Sequence, residues 1–454
     1  MNRPQRLFGT DGIRGRYGAW PLTDDVIAAV SRALGGWLRQ HFPRQKNLTV
    51  IIGKDPRASG DAIEQLLARG LRQAGILVQS CGVVPTPGLA YLTNTLPVQL
   101  GIMISASHNP AEDNGIKCFA HNGFKLSERQ ERAVERRTFA LLKKPWRGAA
   151  PCGKIPRVAT TAYLGHIASS APGLNLTGMT IAIDCAHGAV SAYAEQLFRG
   201  LGATVRVIHD RPDGLNINHR AGSLHPQHLA ALVRRKRADV GFSFDGDGDR
   251  VICCDEQGII RDGDFMMAIA GRYLKERGRL KANTLVSTSM SNFGLEKFLA
   301  EQKIKMRRAD VGDKYVLQQM QRCGSNLGGE QSGHIIFLDY STTGDGLLTA
   351  VQLVRIMRET GKKLSALARS MKKYPQILLN VRVRERRPFK RMPVVQKLIR
   401  AAQQQLTGNG RLVVRYSGTE PLARVMVEGP RKNTITNMAR TIIAAIQQEI
   451  GADG

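Results

Sequence analysis

The sequence predicts an α/β protein: three related domains with mixed, mostly parallel sheets, followed by a smaller C-terminal α+β domain. Two observations predict it. A β-rich run, a polar turn, an amphipathic helix and a second strand recur three times before residue 310. Units of this kind are right-handed crossovers in mostly parallel sheets. From Ile377 onward that rhythm stops. A length of 454 residues agrees, giving a prior of about three domains, each with a sizeable core.

The first copy runs through strand Leu48–Ile52, turn Asp55-Pro-Arg-Ala-Ser-Gly60, a helix to Ala74 and strand Ile76–Gln79. The second is Met179–Ile183, Asp184-Cys-Ala-His-Gly188, a helix to Leu201 and Thr204–Ile208. The third is Thr284–Thr288, Ser289-Met-Ser-Asn292, a helix to Gln302 and Ile304–Arg307. In the tail, strand Ile377–Arg384 leads to a helix over Pro393–Leu406 and to strands Arg411–Tyr416 and Ala423–Glu428 around a turn. A closing helix from near Asn433 carries Ile435, Met438, Ile442 and Ile446 at helical spacing, with Asn433 or Thr434 as N-cap. The Pro-rich, basic stretch Lys143–Pro156 and the run Met371–Pro375 read as boundaries. The expected domains are therefore 1–155, 156–256, 257–372 and 373–454.

Composition narrows the function classes. No stretch reaches the roughly 18–20 uninterrupted apolar residues of a membrane helix. The N-terminus lacks a hydrophobic signal region, so a cytoplasmic protein without a membrane partner is expected. Seven scattered cysteines with no Cys-x-x-Cys spacing read as reduced, packed thiols. A net charge of +29, from 66 basic and 37 acidic residues, favours acidic partners: nucleic acid, anionic surfaces or phosphorylated metabolites. Arg234–Arg237 closes a helix, and Arg129–Arg137 alternates with Glu131 and Glu135 as on a solvated face. The dense segment Lys362–Arg400 lacks interleaved aromatics and any nucleic-acid fold signature, so no specific nucleic-acid partner is expected.

Two segments carry the chemistry. Val240–Phe244 is an apolar strand running into Asp245-Gly-Asp-Gly-Asp249. Three carboxylates so close repel by about 1 kcal/mol per pair in water and about 4 at a partly buried site. Hard oxygen ligands suit Mg²⁺ or Ca²⁺. An EF-hand fails, because Arg250 stands where its loop needs glycine and both flanks read as strands; a solvated acidic turn with no ligand competes. The second segment, Gly101-Ile-Met-Ile-Ser-Ala-Ser-His-Asn-Pro110, is a strand entering a loop with Ser107 at its tip. Alone it reads as a turn. Beside a carboxylate site, phosphorylated Ser107 would bring about −1.5 to −2 charges and a further metal ligand. His108 and Lys117 are candidates for proton transfer.

Three further segments are weaker alone. Arg415-Tyr-Ser-Gly-Thr-Glu-Pro-Leu-Ala-Arg424 offers two arginines, Ser417, Thr419 and the close-approach Gly418, suited to a phosphate; a plain hairpin turn competes. Gly328-Gly-Glu-Gln-Ser-Gly-His334 joins Glu330, Ser332 and His334, a set of donors and acceptors suited to sugar hydroxyls, or an ordinary solvated loop. Phe8-Gly-Thr-Asp-Gly-Ile-Arg-Gly15 offers Thr10 and Arg14 on a glycine-rich loop.

Together, and in this order, these five segments resemble the α-D-phosphohexomutase superfamily over essentially the whole chain. The Gln in the 328–334 loop, Phe8–Gly15, Asp213-Gly-Leu-Asn-Ile-Asn218 and Thr342-Thr-Gly-Asp-Gly346 are similar to its glucosamine branch. His187 and Ala221-Gly-Ser-Leu224 depart from that branch's usual residues. The resemblance implies four domains around a central active-site cleft, with Ser107 as phosphoserine and Asp245, Asp247 and Asp249, with Ser107, holding one Mg²⁺. It places Arg250 beside the transferring group and Glu330, Ser332 and His334 on the sugar. Arg415, Ser417, Gly418, Thr419 and Arg424 fall on a phosphate. The implied reaction interconverts the 6- and 1-phosphates of glucosamine through a 1,6-bisphosphate, toward UDP-N-acetylglucosamine for the cell wall. A homodimer is compatible with this reading. The competing expectations are phosphomannomutase or phosphoglucomutase chemistry and, more distantly, a basic nucleic-acid-binding protein on the same scaffold.

Overall fold

The three crossovers become three sheets of one topology. The computed structural model describes residues 6–143, 153–417 and 421–452. The first sheet holds β1 (Ile13–Arg16), β2 (Thr49–Lys54), β3 (Leu77–Val83), β4 (Leu100–Ile104) and β5 (Asp113–Ala120), in the order β1-β5-β4-β2-β3. The second holds β6 (Thr180–Asp184), β7 (Thr204–Ile208), β8 (Val240–Phe244), β9 (Val251–Asp255) and β10 (Ile260–Arg261), in the order β10-β9-β8-β6-β7. The third holds β11 (Thr284–Thr288), β12 (Lys305–Ala309), β13 (Leu327–Gly329) and β14 (Ile335–Phe337), in the order β12-β11-β13-β14.

In each sheet three strands run parallel and a fourth lies antiparallel beside the last of them. Every residue of β8, β9 and β11 is buried. That is the near-continuous burial of strands covered on both faces, and it explains why Val240–Phe244 could be read from its apolarity. Cys253 and Cys254, adjacent in β9, are both fully buried, and the described cysteines are free thiols. In the first domain the helices Asp24–His41 and Gly60–Gln73 turn Ile27, Leu34, Leu38, Ile63, Leu67 and Leu71 onto the core.

The second crossover differs from its expectation. Its helix is short, Ala194–Gly200, behind a 3-10 turn at Ala189–Ala192. The cause is a close backbone contact: Ala189 N–H donates to Gly246 O at 2.8 Å, and a Cβ on Gly188 would lie 2.5 Å from that oxygen. The chain must first follow the 245–249 loop before it can wind. Glu135, expected on a solvated face, instead accepts the N–H groups of Leu7 and Phe8 at 2.8 and 3.1 Å and anchors the N-terminal loop.

Met1–Met290 with Ile304–Arg369 form one compact unit, and Ser291–Lys303 with Ser370–Gly454 form a second. The second unit carries β15 (Gln376–Arg382), β16 (Arg411–Tyr416) and β17 (Leu422–Glu428) in the antiparallel order β15-β17-β16. Helices Pro393–Leu406 and Lys432–Ile450 share a core with that sheet through Val395, Leu406, Ile435, Ile442 and Ile446. The closing helix is capped at Arg431, without a side-chain bond, because its first turn is already closed by Ile435 N–H on Arg431 O at 3.2 Å. Asn433 and Thr434 therefore sit inside the helix and not at its N-cap. Among the described residues, no helix is long and apolar enough to cross a membrane.

Candidate active site

Three expected loops of the first unit occupy one topological place, the connection from the third parallel strand to its antiparallel neighbour. β4 leads through Ser107 to β5, β8 through the acidic triplet to β9, and β13 through Glu330, Ser332 and His334 to β14. The carboxyl ends of parallel strands are where open α/β sheets bind ligands.

Ser107 is fully buried and left-handed at φ 54°. Its Oγ donates to Asp245 Oδ2 at 2.6 Å and lies 3.3 Å from His108 Nδ1. Gly246 is glycine for a steric reason: a Cβ there would stand 2.6 Å from Ser107 O. Asp245, Asp247 and Asp249 each turn an oxygen into one cluster, all within 4.8 Å of one another. Asp245 Oδ1 accepts Arg250 N–H at 3.1 Å. Asp247 Oδ2 accepts Thr86 Oγ1 at 2.6 Å and Lys117 Nζ at 2.7 Å. Asp247 Oδ1 and Asp249 Oδ1 are buried with no hydrogen-bond partner. Burial and the neighbouring Asp249 and Asp247 charges push the Asp245 carboxyl up. Burial also acts against Asp249, but Lys117 and His334 outweigh it and hold that carboxyl well below its usual range. Buried carboxylate oxygens left without donors are what a hard divalent cation satisfies, so the residues fit a divalent metal.

The two proton-transfer candidates sit in opposite electrostatic environments. Lys117, 1 % exposed, pairs with Asp247 and, at 3.2 and 3.8 Å, with Asp11 and Asp249. Burial disfavours its charge, yet Asp11, Asp247 and Asp249 more than compensate and raise its pKa. It is a fixed ammonium that offsets the triplet's charge. His108 is the reverse: burial, then Arg250 and Arg14, lower it to about 4, leaving a neutral imidazole beside the Ser107 hydroxyl. Arg14 pairs with Asp11, and Arg250 Nε lies 3.8 Å from Asp249 Oδ1. The Nε atoms of both arginines are buried without a hydrogen-bond partner, as donors awaiting an anion would be. Thr10 is exposed on the same N-terminal loop.

Glu330 Oε1 accepts Gly312 N–H at 3.0 Å, and Ser332 Oγ lies 3.4 Å from Glu330 Oε2. His334, expected on the sugar, is turned inward at 2 % exposure. Its Nε2 accepts Gly344 N–H at 3.0 Å and its Nδ1 faces Asp249 Oδ2 at 3.6 Å. The Thr342–Gly346 segment supports the acidic loop through Gly346 N–H on Gly248 O at 3.0 Å. Sequence reasoning missed Asp11 and Thr86. Asp11 stood inside the quoted Phe8–Gly15 motif. Thr86, between Pro85 and Pro87, opens the helix Thr86–Thr95.

In the second unit, Arg415 and Arg424 are directly opposed across β16 and β17. Their side chains share a face, where like charges opposite each other are destabilising and an anion offsets the repulsion. Ser417 N–H closes this hairpin on Leu422 O at 2.8 Å. Gly418 and Thr419 lie outside the described residues.

A serine hydroxyl set on a carboxylate triplet, with a neutral imidazole and two arginines beside it, defines a phosphoryl-transfer site on a three-domain α/β frame. Models of the phosphoglucomutase/phosphomannomutase family match in sequence order: α/β/α domain I over residues 5–144, domain II over 161–258, domain III over 262–374 and the C-terminal domain over 378–445. The chain is 46% identical to the phosphoglucosamine mutase of Bdellovibrio bacteriovorus and 48% identical to that of Geobacillus kaustophilus. Each alignment covers 99% of this chain and 100% of the relative. Among solved structures, a phosphoglucomutase/phosphomannomutase family protein from Burkholderia thailandensis shares the fold with a TM-score of 0.79 at 23% identity, over 98% of this chain and 99% of that one. Aspergillus fumigatus N-acetylphosphoglucosamine mutase, in complex with GlcNAc-6P and magnesium, shares it with a TM-score of 0.65 at 17% identity, over 97% and 95%. The chain belongs to the phosphohexomutase superfamily, on the branch of the bacterial phosphoglucosamine mutases. Its chemistry is accordingly that of an isomerase-type phosphotransferase.

Proposed function

We propose that this protein interconverts glucosamine 6-phosphate and glucosamine 1-phosphate through phosphorylated Ser107 and a 1,6-bisphosphate. The observation that carries the reading is Ser107 Oγ, 2.6 Å from Asp245 Oδ2 and 3.3 Å from a histidine nitrogen in a buried site. The names of the relatives supply the sugar. In the forward half-reaction the Oγ–P bond of Ser107 breaks as a bond forms from phosphorus to a sugar hydroxyl oxygen. The hydroxyl proton passes by way of His108 to the departing Ser107 Oγ, which lies 3.3 Å from the ring nitrogen. Arg14 and Arg250 donate to the moving phosphoryl oxygens, and positioning of this sort supplies most of the rate in phosphoryl transfer. The second half-reaction reverses these bonds at the other end of the sugar.

Asp245, Asp247, Asp249 and the phosphorylated Ser107 would hold Mg²⁺, which when bound offsets charge on the transferring group. Glu330 and Ser332, with Thr10, are assigned to the sugar. His334 is assigned to holding Asp249. Arg415, Ser417, Gly418, Thr419 and Arg424 are assigned to the phosphate that stays on the sugar. Lys117 is assigned to charge balance. The division 1–155, 156–256, 257–372 and 373–454 gives each domain one functional loop, and a cytoplasmic location accords with the reading.

Intact mass of the wild type and of Ser107→Ala tests the proposal. The wild type is expected to carry a phosphoryl increment that the variant lacks, and the variant is expected to lose mutase activity. An active, unmodified variant overturns the mechanism. Turnover of the 6-phosphates of glucosamine, glucose and mannose tests the sugar, and preference for either neutral sugar overturns that assignment.

A further inference from the structure

Two residues outside the transfer chemistry hold the backbone on which Ser107 sits. Arg57 is buried at 3 % exposure. Its Nη2 donates to the carbonyls of Ser107 and Asn109 at 2.9 and 2.8 Å. Its Nη1 donates to the carbonyls of Asp113, at 2.9 Å, and Pro110. Nε returns to Asp55 Oδ2 at 3.0 Å, so all five guanidinium N–H groups are used. Asp55 also takes Ser105 Oγ–H at 2.5 Å, and that oxygen accepts Ser107 N–H at 2.9 Å. From the second domain, Asn218 Nδ2 reaches the same two carbonyls, Ser107 at 2.8 Å and Asn109 at 3.0 Å.

The geometry says what this double grip is for. Ser107 has φ 54°, a region a residue with a Cβ occupies only when its surroundings impose it. A carbonyl oxygen has two lone pairs, and here each of two carbonyls takes one donor from Arg57 and one from Asn218, which fixes its direction. Peptide direction at residue 107 sets where Oγ points. Asn218 is itself held, at φ 60°, at the end of Asp213–Asn218, a turn built by Asp213 Oδ1 accepting Leu215 and Asn216 N–H at 2.8 and 2.9 Å. Its domain also carries the acidic triplet.

We propose that Asn218 and Arg57 are positioning residues for phosphoryl transfer, and that Asn218 makes the place of Ser107 depend on the domain that holds Asp245, Asp247 and Asp249. The proposal rests on the phosphoserine reading above. It gives Asp213–Asn218 a task that the transfer chemistry itself leaves unassigned. A phosphorylated side chain changes charge and bulk through each cycle, whereas a backbone gripped from two domains does not need to move with it.

The test uses the full-length enzyme with Asn218→Gly, Asn218→Asp and Arg57→Lys. Glycine keeps the positive φ and removes only the amide. Aspartate keeps the shape but points an acceptor at two carbonyl oxygens. Lysine keeps the charge of Arg57 without its fork. For Asn218→Gly, kcat is expected to fall roughly 10- to 100-fold with KM within about 3-fold. Phosphorylation of Ser107 by glucose 1,6-bisphosphate, followed by intact mass, is expected to slow by the same factor at an unchanged melting temperature. Asn218→Asp and Arg57→Lys are expected to lose at least as much kcat. An Asn218→Gly enzyme that is phosphorylated and turns over at the wild-type rate overturns the proposal. So does one that melts far earlier while its folded fraction keeps full kcat, since Asn218 would then only tie two domains together. The wild-type mass separates the two readings: no phosphoryl increment on wild-type Ser107 defeats the phosphoserine mechanism itself, whereas a normal increment with indifferent variants defeats only the grip.

Discussion

Replacing Lys117 by methionine keeps the length of the side chain and removes its charge from the floor of the site. The ammonium stands 2.7, 3.2 and 3.8 Å from Asp247, Asp11 and Asp249. At an effective dielectric constant of about 20 those three attractions sum to roughly 15 kcal/mol. Desolvation of a buried ammonium consumes much of that, and removing one partner of a buried pair typically costs about 3–5 kcal/mol. Asp11 keeps Lys125 and Arg14 as partners, so the uncompensated charge falls on Asp247 and Asp249. In chelator the variant should therefore melt roughly 5–10 °C below the wild type. Mg²⁺ should then recover more in the variant than in the wild type, because the dication meets a site one positive charge poorer. At about 100 times its dissociation constant a bound ion adds about 2.7 kcal/mol. Thermal melts with EDTA and with Mg²⁺, on both proteins, measure the two shifts. Equal melting temperatures in EDTA, or an equal Mg²⁺ increment, would refute the charge-balance role of Lys117.

Two further outcomes are expected. Asp345 caps the helix Gly346–Thr360 and accepts the Tyr163 hydroxyl at 3.0 Å; burial, against the pull of those donors, pushes its carboxyl up to about 7. With the folded value above the unfolded one, near 3.9, the folded state holds the extra proton, so this contribution is complete below about pH 4 and lost as pH rises through 7. The stability of the wild type relative to Asp345→Asn should fall between pH 4 and 7 and level off above, and a constant difference from pH 4 to 8 in denaturant melts contradicts this. Arg415→Leu should relieve a cross-strand repulsion of about 0.2–1 kcal/mol without ligand, yet lower kcat/KM by roughly 10- to 100-fold through loss of a charged hydrogen bond. Inorganic phosphate should stabilise the wild type more than this variant, and equal stabilisation of both argues against the phosphate role of the Arg415 and Arg424 pair.

What could be read in the sequence was whatever is local. β8 was visible as an apolar run because both faces of that strand are covered, and β11 through its β-branched residues and its place in the repeat. The acidic triplet was visible because its members alternate along five residues, so their repulsion is a property of the sequence itself. Ser107 needed the triplet as context, since Ser, Asn and Pro in a loop describe most turns. The supports of the site were not visible because their contacts are long-range. Thr86 meets Asp247 across 161 residues, and Asn218 meets Ser107 across 111. Nothing in a Pro-Thr-Pro or an Asn-Ile-Asn declares such a partner. His334 likewise has long-range neighbours that the sequence did not declare: Gly344 N–H donates to its Nε2, and Asp249 Oδ2 lies 3.6 Å from its Nδ1.

The repeated topology explains why the chemistry divides among the loops as it does. In the first two domains the turn after the first crossover strand braces the turn after the third. Asp55 receives Ser105 at 2.5 Å in the first domain. In the second, Gly188 lies against Gly246, and Asp184 accepts the N–H groups of Ala186 and Gly222 at 3.0 and 3.2 Å. The third domain puts the same turn to another use. Asn292 accepts Tyr374 N–H at 2.9 Å and donates to Glu428 at 3.1 Å, contacts that belong to the second compact unit. Its 330–334 loop is braced from elsewhere, by Gly312 on Glu330 and by Gly344 on His334. The two loops braced by that turn are those that bring the Ser107 hydroxyl within 2.6 Å of Asp245 Oδ2. The third carries Glu330 and Ser332, which under the proposed assignment meet a sugar ring presented first by one end and then by the other, and its support comes through Gly312 and Gly344 instead of that turn.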